Sequence, residues 1–393
     1  SMRLVLQRAM LVCALLSTWV SGLAQAQPQV WEGTLGKSSI VVKLDAPDVP
    51  DEILDPLLAA AGEEVRALHV VLDDVLFLAP LDALPLACEV RVGERIAIHV
   101  EATFARLLRE KRPVEAGGTL VALGGIDFDA EEVQGAEKEQ GEELEERTPA
   151  ALAAASSPPL DRSGRPESFE PLRQTRYEIE DIGAQFEEEL GGKPLLLQSG
   201  QATKAALWAA APSARYLHLA THGWFASEGF KSQLDTLAEA SVRDAFGRAQ
   251  EALRGFAPET LCGLALTGAN RGWDALGRVP GILTAEELSA LDLRNCELAV
   301  LSACETNVGI RRAGQGIQSL QAALHAAGAR TAITSLWKVD DAATRRLFEV
   351  FYAKLWKEKL GKAEALWQAR MALRAEGHPL RDWAAWVLTG EPD

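Results

Sequence analysis

The sequence lacks the cysteine pairs that mark a disulfide framework or a zinc site. Its five cysteines include no C-x-x-C pair, so neither kind of site is indicated and we expect no bound metal. Four of them, Cys13, Cys88, Cys262 and Cys296, lie in apolar surroundings typical of buried thiols. The fifth, Cys304, differs because it directly follows a predicted strand.

Positive charge is also scarce. The chain has 40 lysines and arginines against 56 acidic residues, a net charge of −16, which argues against a nucleic-acid partner. A predicted strand, Thr119–Leu123, ends in two glycines, but the sequence contains neither G-x-G-x-x-G nor a Walker lysine motif. We therefore expect no cofactor, and a nucleotide-binding α/β domain is the weakest of the alternatives.

No apolar run is long enough for a comfortable membrane span, so we expect no membrane partner. The longest, Ala9 to Leu23, follows Arg3 and Arg8 and precedes Ala24-Gln25-Ala26. This pattern has two interpretations. Residues 2–26 form either a packed N-terminal helix of a cytoplasmic protein or a signal peptide of an exported one.

A composition change divides the chain. Glu131 to Glu146 holds eight acidic residues and one lysine, and a stretch rich in alanine and proline follows. Such a segment cannot bury enough apolar surface to offset its ordering entropy. Residues 127–172 are therefore predicted to be an acidic flexible linker. The alternative is a processing loop that is cut after Arg162 or Arg165, since exposed loops are preferred sites of proteolysis.

From Thr175 onward, predicted strands alternate with predicted helices. The first helix carries a capping-box pattern, Thr175 to Glu178, followed by an apolar stripe that begins at Ile179. Alternation of this kind predicts an α/β fold whose mostly parallel sheet is covered by helices on both faces.

Two of the predicted strands end in reactive side chains. The apolar run Leu298–Leu301 leads into Ser302-Ala303-Cys304, and the run from Tyr216 ends in His222-Gly223. Open α/β sheets present their chemistry at the carboxyl ends of strands. An imidazole beside a thiol can deprotonate it and later protonate a leaving amine. The residues alone leave open that Cys304 is a buried structural thiol and that His222 is a satisfied polar residue.

His218 lies on the same predicted strand as His222 and shares its parity. Side chains two or four positions apart point to the same face of a strand. We expect His218 to be a core or supporting residue rather than a catalytic one.

Five motifs together resemble the CHAT family of caspase- and separase-like cysteine peptidases. The similarity is dense over about residues 173–390 and looser over about 65–125, and no TPR-like period is visible. The motifs are Leu217–Gly223, Gly281–Glu287, Leu301–Thr306, Ala327–Arg330 and Ser335–Asp341.

The resemblance implies a caspase-like α/β/α sandwich with a non-catalytic first half and a catalytic second half. The expected domains are an N-terminal helix or connector over 1–50, the non-catalytic half over 51–126, the linker over 127–172 and the catalytic half over 173–393. Residues 1–50 lie outside the resemblance.

Carried over to this chain, the family's catalytic pair implies that Cys304 is the nucleophile and His222 the general base and acid. The backbone N–H groups of Gly223 and Cys304 would form the oxyanion hole. A glycine after the histidine suits this role, because no side chain blocks the approach of a substrate carbonyl. No aspartate or asparagine is marked by the sequence as a third member.

The resemblance also implies a pocket for the residue before the scissile bond. Asp341, with Asp340 beside it, would bind an arginine or lysine, and Ser302 and Trp337 would line the same pocket. The alternative is that one of these two aspartates caps the following helix. No arginine matches the position that would select aspartate, whereas cleavage after apolar residues stays open.

These observations predict a cysteine endopeptidase that cleaves a protein substrate through an acyl-enzyme. We expect it to be latent until a regulatory protein or an activating protease acts on it. Bacterial antiviral defence is a setting implied by resemblance alone. The alternative is a catalytically silent CHAT pseudo-protease that acts as an interaction scaffold.

Overall fold

The computed structural model shows two compact units. The first comprises residues 1–111 with 387–390, and the second comprises 112–386 with 391–393. The described residues are 33–34, 39–44, 65–72, 80–85, 90–101, 118–131, 169–225, 262–271, 281–303 and 313–393.

Several predicted features lie outside the described residues. They are the segment 2–26, the two arginines Arg162 and Arg165, and Cys304 itself. The division after Lys111 places the strand at 119–126 in the second unit, whereas the sequence analysis assigns it to the 51–126 half. The predicted domain boundaries stay predictions.

The first unit is built on parallel strands. β2 pairs in parallel with β3, and β3 with β4, whereas β1 is antiparallel to β2. The last strand of the chain, β13, pairs in parallel with β4 through Thr389 and Val100. The elements are β1 Gly33–Thr34, β2 Ser39–Leu44, β3 Ala67–Leu72, a 3₁₀ turn Leu81–Ala83, α1 Val92–Arg95, β4 Ala97–Glu101 and β13 Trp386–Gly390.

The second unit contains a parallel sheet in the order β12-β11-β7-β5-β6. A separate antiparallel sheet has the order β10-β9-β8. The predicted α/β fold with a mostly parallel sheet is confirmed. The strands are β5 Thr119–Ile126, β6 Leu195–Ser199, β7 Ala214–Thr221, β8 Gly223–Phe225, β9 Cys262–Ala265, β10 Ile282–Thr284, β11 Leu298–Ala303 and β12 Thr331–Ser335.

Helices cover both faces of the parallel sheet in the second unit. A π-helical turn, Ala353–Lys357, continues the helix that begins at Asp341. The helices are α2 Arg173–Leu190, α3 Lys204–Ala210, α4 Ala285–Ser289, α5 Ala313–Ala327, α6 Asp341–Tyr352, α7 Lys362–Ala375 and α8 Leu380–Trp383. Among the described residues, no helix is both long and apolar enough to cross a membrane.

One surface of this sheet, here called the apolar face, presents Leu217, Leu219 and Leu301. These side chains join a buried cluster with Leu207 of α3, Leu288 of α4 and Leu324 of α5. A fully buried leucine contributes about 1.5–3 kcal/mol through its burial. This cluster therefore supplies much of the stability that fixes the strands.

The opposite surface, here called the polar face, presents the alternate residues Tyr216, His218 and Val300. α2 and α6 cover it, since His218 contacts both Glu178 of α2 and Tyr352 of α6. Both faces are buried, and this one buries the hydrogen-bonded side chains of Glu178, His218 and Tyr352.

The predicted capping box at Thr175 is wrong. α2 begins at Arg173, so Thr175 lies inside its first turn. Its hydroxyl donates to the Leu172 carbonyl at 2.8 Å and accepts from the Gly125 N–H at 2.9 Å. Glu178, the expected partner of the cap, hydrogen-bonds to His218 instead. Hydrogen bonds to residues distant in sequence therefore replace the local capping box for both side chains.

The two glycines that end β5 serve this close packing. A Cβ atom at Gly124 would lie 2.5 Å from the Thr175 carbonyl oxygen, and one at Gly125 would lie 2.7 Å from the Arg176 Cβ. Gly125 also has a φ of +58°, which only glycine adopts without strain. The Gly-Gly pair is thus explained by the approach of α2 to the sheet.

Candidate active site

The site is built where two neighbouring strands end together. β7 and β11 are parallel and in register, with Ala220 opposite Ser302 and Thr221 opposite Ala303. His222 is the next residue after β7, and Cys304 is the next residue after β11. The structure therefore places His222 beside the strand that leads to Cys304, although Cys304 itself lies outside the described residues.

The end of β11 is held from the far side by β12. The Ser335 hydroxyl donates to the Ala303 carbonyl at 3.0 Å, and both residues are buried. Ser302 is 2% exposed, and its hydroxyl has no hydrogen-bond partner among the described residues. A buried hydroxyl without a partner is costly, which makes Ser302 a candidate to bind a ligand group.

His222 is 4% exposed, and its imidazole packs against two aromatic rings that also contact each other. The ring centroids of Phe128 and Phe169 lie 5.4 Å and 5.6 Å from that of the imidazole. Its Nε2 lies 2.7 Å from the carbonyl oxygen of Glu170. A carbonyl can only accept, so Nε2 donates its proton and Nδ1 is the nitrogen with base character in the neutral ring.

Asn270 holds the segment that orients His222. Its Oδ1 accepts from the Phe169 N–H at 2.7 Å, and its Nδ2 donates to the Phe169 carbonyl at 3.0 Å. Its own N–H donates to the Phe128 carbonyl at 2.9 Å. One asparagine thus fixes both rings and, through Phe169, the Glu170 carbonyl.

Sequence reasoning missed this arrangement. The group that orients His222 is a backbone carbonyl, which any residue carries, so no residue type could have marked it. Asn270 lies in none of the five motifs. Only its position shortly after the apolar segment that forms β9 could have drawn attention to it.

Gly223 begins β8 and lies opposite Leu264 of β9. The Ala265 N–H donates to the His222 carbonyl at 3.0 Å. This bond makes Gly223 and Leu264 a non-hydrogen-bonded pair of the antiparallel ladder, so the Gly223 N–H points away from β9. An N–H in this position is suitable for stabilising an oxyanion.

The two predicted pocket aspartates have different environments. Asp340 is exposed and caps α6, accepting from the N–H groups of Ala342 and Ala343 at 3.0 Å and 3.1 Å. Asp341 is half-buried and makes no cap. The cap alternative therefore applies to Asp340 and leaves the Asp341 carboxyl available for another role.

The electrostatic surroundings of Asp341 connect it to the site. Burial raises its pKa, and the charges of Asp340 and Glu178 raise it further, whereas His222 and Lys338 lower it. An interaction with His222 requires the two side chains to lie near each other. The structure therefore brings Asp341 and His222 to the same end of the sheet.

Trp337 is half-buried, and its indole Nε1 donates to the Arg381 carbonyl at 2.6 Å. This bond fixes the indole at the start of α8. A pocket role for Trp337 stays a prediction.

The two cysteines that the structure describes are buried thiols. Neither Cys262 nor Cys296 forms a disulfide among the described residues. Burial raises the pKa of the Cys296 thiol to about 12, so this thiol stays protonated and weakly nucleophilic. Within the described part of the chain, no group of three or more His, Cys, Asp or Glu side chains could hold a metal ion.

A CHAT domain family model matches residues 48–391 of the chain. The chain belongs to the CHAT domain family. The matched range includes His222, Cys304 and Asp341, and it extends into both compact units.

Two solved structures to which this CHAT chain is similar are distant from it in sequence. Separase in the Saccharomyces cerevisiae separase–securin complex is 10% identical with a TM-score of 0.42, and the match covers 84% of this chain and 16% of the separase chain. The Arg-specific cysteine proteinase gingipain R (RGPB) is 10% identical with a TM-score of 0.44, covering 88% and 70%. No curated protein matches the chain.

Proposed function

We propose that this CHAT protein is a cysteine endopeptidase with Cys304 as nucleophile and His222 as general base and acid. The observation that carries the proposal is the register of β7 and β11, which pairs Thr221 with Ala303. The residues that follow these two are His222 and Cys304. Family membership over residues 48–391 supports the same assignment.

In the proposed mechanism, His222 Nδ1 takes the thiol proton and the Cys304 thiolate adds to the substrate carbonyl carbon. The N–H groups of Gly223 and Cys304 stabilise the oxyanion that forms. The C–N bond then breaks, and the imidazolium gives its proton to the leaving amine. Water, deprotonated by His222, hydrolyses the thioester and regenerates the thiol.

The Glu170 carbonyl has a defined part in this mechanism. By accepting from Nε2, it fixes the tautomer in which Nδ1 is the base, and it stabilises the imidazolium after proton transfer. The role that an aspartate has in other hydrolases would here belong to a backbone carbonyl. This explains how the site could function without a third catalytic side chain.

We propose that the substrate is a protein cleaved after arginine or lysine. Asp341 supports this, because a half-buried carboxyl with a raised pKa gains most from a cationic partner. Ser302 supplies a buried hydroxyl without a partner among the described residues, and it could accept an N–H of the bound side chain.

We also propose that the enzyme is latent, in a bacterial defence setting inferred from resemblance alone. Phe169 and Glu170, which hold His222, come at the end of the 127–172 region. A regulatory protein, or a protease cutting after Arg162 or Arg165, could therefore change the position of His222. Activity that is equal in intact and cut protein would exclude this form of latency.

Fluorogenic peptides that differ only in the residue before the scissile bond test the proposal. Peptides with arginine, lysine, leucine or aspartate are compared in the wild type, in Cys304→Ala, and in protein cut within 127–172. Turnover after arginine that disappears in Cys304→Ala is the expected result. If no peptide is cleaved by intact or cut protein, the alternative of a pseudo-protease scaffold replaces the proposal.

A further inference from the structure

The polar face contains a buried chain of three side chains behind the candidate site. Glu178, His218 and Tyr352 are 2%, 0% and 0% exposed. His218 Nε2 lies 2.8 Å from the Glu178 carboxylate, and its Nδ1 lies 3.1 Å from the Tyr352 hydroxyl.

The protonation of this chain follows from its contacts. Burial, together with the charge of Glu178, holds the pKa of Tyr352 well above its usual range, so the hydroxyl keeps its proton. The hydroxyl can then donate to Nδ1 while Nε2–H donates to Glu178, which satisfies a neutral imidazole at both nitrogens. Glu178 is the carboxyl of this group of three side chains, and its charge acts on Asp341.

The register of two helices brings that charge to Asp341. Asp181 of α2 pairs with Arg345 of α6 at 2.7 Å. Gln185 donates to the Glu349 carbonyl at 3.3 Å, and in both pairs the partners are 164 positions apart. α2 and α6 therefore run parallel, and the same offset places Glu178 opposite the first turn of α6. Asp341 lies in that turn, and Glu178 raises its pKa.

A third polar group lies on the same face. Ser302 is two positions beyond Val300, which pairs with His218, so Ser302 and His218 face the same side of the sheet. Its buried hydroxyl has no partner among the described residues. The titratable or charged groups that act on the Glu178 and Asp341 carboxyls are Asp340, Lys338, His222, His218 and Tyr352.

Two carboxyls and a hydroxyl at the carboxyl end of the strands match a cation with several N–H donors, as in a guanidinium. We propose that Glu178 is a positioning and specificity-determining residue: held by His218, it places a second negative charge behind Asp341 and makes the pocket select a basic side chain. This inference rests on the proposed endopeptidase function. It adds a buried residue that no motif marks.

The first arm of the test measures KM and kcat against pH. Two peptides are used, with arginine or leucine before the scissile bond, and the variant is Glu178→Gln. Gln keeps an acceptor for His218 and removes only the charge. Two control variants accompany it. Tyr352→Phe removes the hydrogen bond to His218 but keeps the charge of Glu178. Glu188→Gln removes a charge from the exposed side of α2.

We expect two changes in Glu178→Gln that a merely structural role would not produce together. At pH values where Asp341 is ionised, KM for the arginine peptide rises about tenfold, because a buried charge near the cation is lost, and kcat stays within about threefold. The pH below which kcat/KM for the arginine peptide falls shifts to a lower value, because Asp341 loses a like charge that raised its pKa. The leucine peptide and both control variants show neither change.

The second arm needs no activity. Asp341 keeps its proton in the folded state at pH values where the unfolded chain has lost it, so its ionisation lowers stability once the pH passes its folded pKa. Asp341→Asn should therefore raise Tm at neutral pH, with a difference that disappears as the pH falls. In a Glu178→Gln background we expect this difference to be smaller and to reach its full size at a lower pH.

The inference is overturned if KM rises equally for both peptides, or if the Tm difference is the same with and without the Glu178 charge. If no peptide is cleaved, the endopeptidase proposal falls by itself. The second arm still decides whether Glu178 acts on Asp341.

Discussion

The two faces of the parallel sheet in the second unit are equally buried but differ in chemistry. The apolar face packs Leu217, Leu219 and Leu301 against three helices. The polar face buries Glu178, His218 and Tyr352 in one hydrogen-bonded chain. Alternating residues of the same two strands supply both faces. The side chains on one face of a strand therefore stabilise the fold, and those on the other face include the candidate functional residues.

The buried polar groups of the polar face indicate where functional residues lie in such a fold. Buried polar groups are retained at a cost, since apolar side chains of similar volume are often as stable or more stable. The polar face bears that cost at the end of the sheet where His222 and Asp341 lie. Variants on the two faces should therefore separate stability from activity.

The largest separation is expected between His218 in β7 and His222, the residue that follows β7. His222→Asn should lower kcat/KM by about 10³-fold, because the general base and acid is lost, while Tm changes little. His218→Asn should lower Tm strongly, because it leaves Glu178 and Tyr352 buried without their partner. Kinetics and thermal unfolding of both variants check this. A fully active His222→Asn protein would contradict the catalytic assignment.

On the apolar face we expect the reverse. Leu219 is fully buried, and Leu219→Ala should cost about 3 kcal/mol of unfolding free energy through the cavity that it leaves. Activity per folded molecule should be retained. The matched control is Leu195→Ala, at an exposed position of the edge strand β6, expected to change stability by less than about 0.5 kcal/mol. Denaturant unfolding measures both, and a smaller loss for Leu219 would contradict this description of the face.

Asn270 tests whether the His222 arrangement is held from outside the two strands. Asn270→Ala removes both side-chain bonds to Phe169, so the Glu170 carbonyl should lose its fixed position on His222. We expect kcat to fall about tenfold and KM to change little. Asn295→Ala, which removes one exposed bond to the Pro212 carbonyl, is the control. ¹⁵N NMR of the His222 ring should show a mixture of tautomers only in Asn270→Ala.

The smallest effects are expected from the neighbouring aspartates of α6, and with opposite sign. Asp340→Ala should cost about 1 kcal/mol because it removes the helix cap. Asp341→Asn should raise stability at neutral pH, because it removes a carboxyl whose pKa the fold raises. That gain should vanish as the pH falls through the pKa of Asp341. Equal destabilisation by both variants would contradict their different roles.

The sequence alone predicted the parts of the site that strand patterns determine. An apolar run ending in a polar residue marked both His222 and the end of β11, and alternation of strands and helices predicted the parallel sheet. Parity could also place His218 in the core of the sheet rather than at the strand end. Each of these follows from local periodicity, which packing in this sheet does not override.

The remaining features depend on contacts between distant residues. Thr175 and Glu178 fitted a local capping box, but a glycine N–H of β5 and His218 of β7 use these side chains instead. The Glu170 carbonyl and Asn270 had no signal of residue type. Cys304, Arg162 and Arg165 lie outside the described residues, so their roles stay proposals.

The most direct test of the central claim is intact-protein mass spectrometry after incubation with a peptidyl-arginine acyloxymethyl ketone. A catalytic thiolate attacks the methylene carbon of this reagent, the carboxylate leaves, and the sulfur is alkylated. The proposed mechanism predicts a single adduct on Cys304. The adduct should be absent in Cys304→Ala and form far more slowly in His222→Asn. Labelling that is spread over other thiols, or that proceeds at the same rate without His222, would contradict the account.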